Sequence, residues 1–224
     1  MATFFVTGIA AYQSPRLLER AYAEGHEIGN HTYTHTDLEK MTTSQLRLEL
    51  MLTQRLIQSR LGVSTLLFRP PFGVDDQAVS PTGFERLRAV QQLGYRIVGS
   101  EIDSNDWGYE QDEVPPSPDE IVETVLEQAR NGDGHVVLMH DGGGDRQNTV
   151  TALPRIIDGL RGAGFELVPV STLLGETRAD AMEFSNSSIG FTSRSPSVTM
   201  ASNTSSPLRV RGMTIVHDTT APSM

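Results

Sequence analysis

From Ala2 to about Leu174, short apolar runs alternate with amphipathic stretches. Few folds satisfy that rhythm, because it is the one produced when each strand of a parallel sheet is followed by a helix that covers it. Candidate strands lie at 2–6, 26–30, 65–68, 95–99, 135–139 and 165–170. Most are continuously apolar rather than alternating, which predicts burial on both faces. The stretches between them carry helix punctuation. Ser14 followed by Pro15 opens one helix and Gly25 closes it. Ser117, Pro118 and Glu120 have the spacing of a capping box, ahead of Ile121, Val122, Val125 and Leu126. A helix over 44–60 places Leu46, Leu50 and Ile57 on one face, which should pack outside the sheet. The predicted class is therefore α/β. Six strands are fewer than a closed eight-stranded barrel requires. The run at 2–6 also reads as a buried strand with no unit before it, so a first β/α unit is expected to be missing.

Composition bounds the chemistry. The 224 residues suit one ordinary domain with an appendage. Net charge is −10, and residues 180–224 hold three basic and three acidic side chains, so the excess acidity lies entirely before them. Nucleic acid as a partner is disfavoured, since binding it needs clustered Lys and Arg. A neutral glycan or a metal cation makes no such demand. With no cysteine in the chain, a metal would have to be held by His, Asp, Glu or water. The apolar runs are far shorter than the roughly 20 residues of a membrane span, and no transmembrane segment is expected. The N-terminal residues lack the charged start of a signal peptide. Beyond Leu174 the character changes: Ser, Thr, Asn and Pro dominate from Phe184 to Met224. A domain over 1–176 with a disordered Ser/Thr-rich tail over 177–224 is the expected organisation.

Four polar clusters follow four of the candidate strands. His31 and His35, in Gly29-Asn30-His31-Thr32-Tyr33-Thr34-His35, are spaced to chelate one ion. Arg69-Pro70-Pro71-Phe72-Gly73 is a loop stiffened by two prolines, in which a buried Arg could pair with a carboxylate and an amide N–H could face an oxyanion. Asp103-Ser104-Asn105-Asp106-Trp107 holds the single Trp, a side chain suited to the face of a sugar ring. Leu138-Met139-His140-Asp141 adds another imidazole. Each cluster alone is matched by an ordinary turn or a structural His. Together, at the C-terminal ends of parallel strands where ligands gather in such folds, they describe one site.

In order and content these motifs resemble the polysaccharide deacetylases with a NodB-homology domain, carbohydrate esterase family four. The resemblance covers roughly Ala2 to Leu174 and includes Ala-Thr-Phe-Phe-Val, His31 to His35, Arg-Pro-Pro-Phe-Gly, Asp103 to Trp107 and Leu138 to His140. The Gly-Gly-Asp-Arg run at 143–146 is further similar to bacterial members fused to a glycosyltransferase. The resemblance implies a distorted (β/α)7 barrel lacking its first β/α unit. It implies a divalent metal, often zinc with cobalt or nickel as alternatives, bound by His31 and His35. It implies that the Phe72 amide holds an oxyanion, that Arg69 orients a base, and that Asp106 tunes a proton-donating His140. Trp107 and Leu138 would line the acetyl pocket. The expected activity is removal of acetyl groups from N-acetylated sugars of a chitin-like, peptidoglycan-like or exopolysaccharide substrate, at the cell envelope or outside the cytoplasm.

One departure stands out. The family's Thr-Phe-Asp-Asp-Gly motif, which supplies a base and a third metal ligand, has no counterpart before the strand at 2–6. The chain is thus expected to be inactive or impaired. A non-catalytic carbohydrate-binding relative and a barrel hydrolase acting on esters or cyclic amides are the competing readings.

Overall fold

The computed structural model describes residues 1–73, 80–107, 114–184 and 211–219, with 211 and 218 described by their backbone. In chain order the elements are β1 (Thr3–Val6), α1 (Gly8–Gln13), α2 (Pro15–Ala23), β2 (Glu27–Asn30), α3 (Thr43–Leu61), β3 (Val63–Thr65), β4 (Leu67–Phe68), α4 (Pro81–Gln92), β5 (Arg96–Ile97), β6 (Ile102–Asp103), α5 (Pro118–Asn131), β7 (Val136–His140), α6 (Gln147–Gly162), β8 (Phe165–Leu167), α7 (Val170–Leu173), α8 (Arg178–Ala181), β9 (Met182–Phe184) and β10 (Arg211–Thr219).

The main sheet is parallel and runs β5-β4-β2-β1-β10-β7-β6, with β8 also paired to the start of β10. A path with two free ends is an open, incomplete barrel, the α/β architecture expected from the sequence. Because every strand runs the same way, the C-terminal ends of β2, β4, β6 and β7 open onto one edge. All four polar clusters follow those ends.

Local sequence accounts for the helices. Ser117 accepts from the Glu120 N–H while the Glu120 carboxylate accepts from the Ser117 N–H, completing the capping box at α5. Thr42 and Gln45 do the same for α3, one residue upstream of the expected start. Leu46, Leu50 and Ile57 of α3 are fully buried, as their spacing predicts.

Several strands are shorter than their apolar runs, and that at 95–99 keeps only Arg96–Ile97 in the sheet. The run at 65–68 is divided: Val63–Thr65 turns away to pair antiparallel with β9, and Leu67–Phe68 stays in the main sheet. The run at 165–170 ends at Leu167 because Pro169 caps α7.

Parts of the segment read as a tail also carry regular structure. Residues 178–184 form α8 and β9, and 211–219 form β10. β10 lies in the middle of the sheet, with Val216 in register with both Thr3 of β1 and Leu138 of β7. Its Met213 and Ile215 pack with α5 and α6 in one apolar cluster, while Val216 joins Phe5, Ile28 and Leu138 in another. The strand at 2–6 therefore has a neighbour on each side. Composition hid β10 because its apolar stretch, Met213 to Val216, is short and set in polar surroundings. Residues 185–210 and 220–224 lie outside the described residues.

Close packing of β1 against β2 depends on Gly29. A Cβ there would stand 2.3 Å from the Phe5 ring. If β10 is seated as described, Ile215→Ala should lower unfolding stability by about 2–5 kcal/mol in a urea titration, the cost of emptying a buried aliphatic position; a strand outside the sheet would leave the midpoint unmoved.

Candidate active site

The His31–His35 loop is built from its supports upward. At the end of β2, the Asn30 side-chain amide donates to the Leu50 carbonyl (2.9 Å) and to the Tyr95 hydroxyl (3.1 Å), and its oxygen accepts from the Thr32 N–H (3.0 Å). Burial pushes the Tyr95 hydroxyl well above the usual tyrosine range, so it stays neutral in this network. Glu49 on α3 accepts from the Tyr33 and Thr34 N–H groups at 2.8 and 2.7 Å. Thr53 donates to the Thr32 carbonyl at 2.8 Å. Gly8 completes the seat, since a Cβ at that position would lie 2.0 Å from the Tyr33 ring.

These contacts bring the His31 and His35 rings to 4.8 Å between centroids. The His31 Nδ1 lies 2.8 Å from the Arg69 carbonyl oxygen. A carbonyl can only accept, so Nδ1 carries the hydrogen and the Nε2 of the neutral ring carries the lone pair. That is the tautomer of a histidine prepared to ligate a cation through Nε2.

Arg69 is the largest fully buried side chain, donating to the Val98 carbonyl (3.4 Å) and the Ser100 hydroxyl (3.2 Å). Two residues on, the turn Pro71–Gly73 leaves Phe72 65% exposed with its ring 4.8 Å from His35. Phe72 links the second motif to the first.

The other half of the site is the Asp106–His140 pair. Asp106 Oδ1 accepts from His140 Nδ1 at 2.8 Å, and Oδ2 accepts from the His140 N–H and the Thr149 hydroxyl, both at 2.9 Å. The Asp106 side chain is fully buried and that of His140 is 15% exposed. Burial alone would raise the Asp106 pKa, but the hydrogen bonds and charge supplied by His140, with the Thr149 hydroxyl, bring it below the ordinary 3.8. The carboxylate holds the proton of His140 on Nδ1, leaving Nε2 as the atom for proton exchange. Arg146 ties the two loops together, donating to the Asp106 carbonyl (2.6 Å) and the Gly142 carbonyl (2.7 Å). The Gly-Gly-Asp-Arg run thus has a structural task within this domain.

Among the described residues, the non-glycine positions with positive φ are Thr32 (65°), His35 (59°), Phe72 (63°) and Asn105 (55°). All four fall within the motifs singled out from sequence. Left-handed backbone at such residues costs of order 1–3 kcal/mol each and persists where surrounding contacts over-determine it. Here those contacts are Asn30, Thr53, Glu49 and the prolines around Phe72.

The structure gathers His31, His35, Phe72 and the Arg69 carbonyl in one group, and Asp106 and His140 in another on the same sheet edge. Trp107 is 51% exposed, with its indole N–H donating to Asp103 at 3.2 Å, so its ring faces solvent and is not part of the core. Leu138 is buried within the core cluster around Phe5 and Val216. Sequence reasoning missed Glu49, Thr149 and Asn30 as supports. Asn30 lies inside the first motif, but Glu49 and Thr149 are ordinary helix residues whose partners are remote in sequence.

The donor set suits a divalent cation that accepts imidazole: two histidine rings in contact, one with its tautomer fixed for Nε2 ligation. No third His, Asp or Glu joins them in a metal-binding group among the described residues.

Residues 1–98 match the family model described as polysaccharide deacetylase. Over 175 residues the chain is 35% identical to the peptidoglycan-N-acetylglucosamine deacetylase of Bacillus cereus, covering 77% of this chain and 75% of that one. This chain belongs to the polysaccharide deacetylase family. It is also 33% identical to the chitooligosaccharide deacetylase of a Bradyrhizobium species, over 77% of each chain. A family 4 acetyl xylan esterase from Clostridium thermocellum, solved with a cobalt ion, superposes with a TM-score of 0.62 at 28% identity, covering 79% of both chains. No helix among the described residues is long and apolar enough to cross a membrane.

The Asp106–His140 geometry generates a pH signature. Because the folded carboxyl titrates below its unfolded value, its contribution to stability is complete above the ordinary 3.8 and is lost as pH falls through the lower folded value. Asp106→Asn should cost about 1.5–3 kcal/mol in urea unfolding at neutral pH, as expected for hydrogen bonds to a charged group. It should also flatten the acid limb of the stability profile; an unchanged acid limb would mean that the pairing does not control it.

Proposed function

We propose that this chain is a metal-dependent N-deacetylase acting on N-acetylated sugars of a polysaccharide, with peptidoglycan-like and chitin-like glycans as its substrate class. The observation that carries this is the buried Asp106 carboxylate fixing the His140 tautomer on the same sheet edge as the His31–His35 pair. An ester hydrolase needs no strong acid to expel an alkoxide, whereas an amine leaves poorly unless it is protonated.

In this reading His31 and His35 hold a divalent cation, zinc by preference with cobalt or nickel as alternatives, that polarises the acetyl carbonyl and lowers the pKa of water when bound. His140 gives the proton from its Nε2 to the departing sugar nitrogen. Asp106 stabilises the imidazolium that provides it, and Thr149 and Arg146 keep Asp106 in place. The Phe72 N–H, set by a positive φ in a proline-stiffened turn, receives the developing oxyanion. Arg69 is a buried cation behind that turn, where it would orient a base such as the family motif supplies. The exposed Trp107 ring forms a wall for the sugar, and Leu138 closes the acetyl side from beneath. The sheet edge faces an extracytoplasmic or envelope glycan.

Turnover is reduced relative to a family member with the full motif set. The sequence holds no Thr-Phe-Asp-Asp-Gly motif, and loss of a general base alone commonly costs about 10²–10⁴ in rate.

Acetate release from N-acetylglucosamine oligomers with added zinc or cobalt tests the reading. Release should be slow, abolished by a chelator, and lowered a further 10²–10⁴-fold by His140→Ala. Binding of the oligomer with no acetate release at any metal concentration would place the chain in the carbohydrate-binding class. Release from O-acetylated substrates alone would make it an esterase.

A further inference from the structure

The end of the sheet away from the imidazoles holds a second polar group, made of Thr3, Glu27, Ser171 and Thr214, each 0% exposed. Register places the three strand residues on one face. Thr3 of β1 is level with Glu27 of β2 and with Val216 of β10, and Thr214 lies two residues before Val216, so its side chain points the same way. Strand spacing and rise put its Cα roughly 8 Å from that of Thr3. The chain leading into α7 brings Ser171 to the same place. The Val168 N–H donates to the Met213 carbonyl at 2.8 Å, the Val170 N–H to the Thr3 hydroxyl oxygen at 3.1 Å, and the Ser171 N–H to Glu27 Oε2 at 3.2 Å. The Thr3 hydroxyl in turn donates to Glu27 Oε2 at 2.9 Å.

Three oxygens of this group are left over. Glu27 Oε1, Ser171 Oγ and Thr214 Oγ1 are buried and have no hydrogen-bond partner among the described residues. Burying a carboxylate is costly unless it is paired, and the partners of Glu27 are a hydroxyl and an N–H rather than a cationic side chain. Arg96 pairs instead with Glu176 at 2.9 Å, and the Glu176 N–H donates to the Ser171 carbonyl at 2.8 Å. One carboxylate oxygen and two hydroxyl oxygens form the donor set of a hard cation, not of one that takes imidazole or thiolate. A single carboxylate matches the charge of a monovalent ion.

We infer that this end of the sheet holds a buried alkali cation, Na⁺ or K⁺, between Glu27 Oε1, Ser171 Oγ and Thr214 Oγ1. The ion joins β2, β10 and α7 at the opposite end of the strands from the His31–His35 and Asp106–His140 groups. Its donors come from segments far apart in the chain, so the site exists only in the folded state, and the ion stabilises that state by mass action. Neutral imidazole suits Zn, Co or Ni rather than an alkali ion, so the two sites take different metals and neither depends on the other.

The test is thermal unfolding of the full chain in the presence of EDTA, in NaCl, KCl and choline chloride at equal ionic strength. Choline, which is too large for a buried three-oxygen site, is the reference. Sodium or potassium should raise the midpoint above that in choline, and whichever does so more strongly is the preferred ion. At an ion concentration tenfold above Kd the folded-to-unfolded ratio should rise about 11-fold. Glu27→Gln should abolish the difference between salts. Thr214→Val, which keeps the side-chain shape and removes the oxygen, should shrink it. If Glu27→Gln fails to fold, the Thr214→Val comparison decides alone. Equal midpoints of the parent chain in the three salts would overturn the inference and leave the three oxygens to a buried water. A preference for Na⁺ or K⁺ that survives the substitutions undiminished would overturn it as well, by placing the ion elsewhere.

Discussion

The pairing of β10 with both β1 and β7 holds the two halves of the sheet together. On one side lie β1, β2, β4 and β5, which carry the His31–His35 loop and the Arg69–Phe72 turn. On the other lie β7 and β6, which carry His140 and Asp106. Were β10 absent, β1 and β7 would each expose a row of unpaired N–H and C=O groups and an apolar face, and the two groups would have no common edge. Because β10 is buried on both faces, its side chains join two apolar clusters, one with β1, β2 and β7 and the other with α5 and α6.

Once the edge is formed, local devices aim the side chains. Asn30 bonds to α3 through the Leu50 carbonyl and to Tyr95 just ahead of β5, so the turn after β2 is fixed from two directions. Glu49 then satisfies two N–H groups of that turn, which allows Thr32 and His35 to hold positive φ. On the opposite side, Thr149 from α6 and Arg146 from the loop before it converge on Asp106. The site residues are therefore rigid because helices outside the sheet reach through to the loops at its edge. Backbone in an unfavourable conformation is retained where the support is densest.

Much of this was legible in the residues. The capping box at Ser117 and the apolar face of α3 follow from short-range rules, and the four polar clusters were read together because parallel strands share a C-terminal edge, although the strand that carries Asp103, β6, was not among the candidates. The supports were not legible. Glu49 is one acidic residue among several on an amphipathic helix, and Thr149 is one hydroxyl in α6; nothing in their spacing marks the loops they reach. β10 was hidden for a different reason. A four-residue apolar stretch within Ser- and Thr-rich sequence has the composition of a tail, and only the availability of two strands lacking a neighbour makes it a strand.

The sequence by itself determined the α/β class, the chemistry available at the strand ends, the exclusion of thiolate ligands and the resemblance to the deacetylases, because each depends on residue type and near-neighbour spacing. Tertiary structure decided which strands lie at the centre, which tautomer His31 and His140 hold, and that Asp106 stands beside His140. Those depend on pairings such as Val216 with Thr3 and Leu138, made between segments far apart in the chain. Their energy comes from burying both faces of a strand at once, a quantity that no local window of sequence contains.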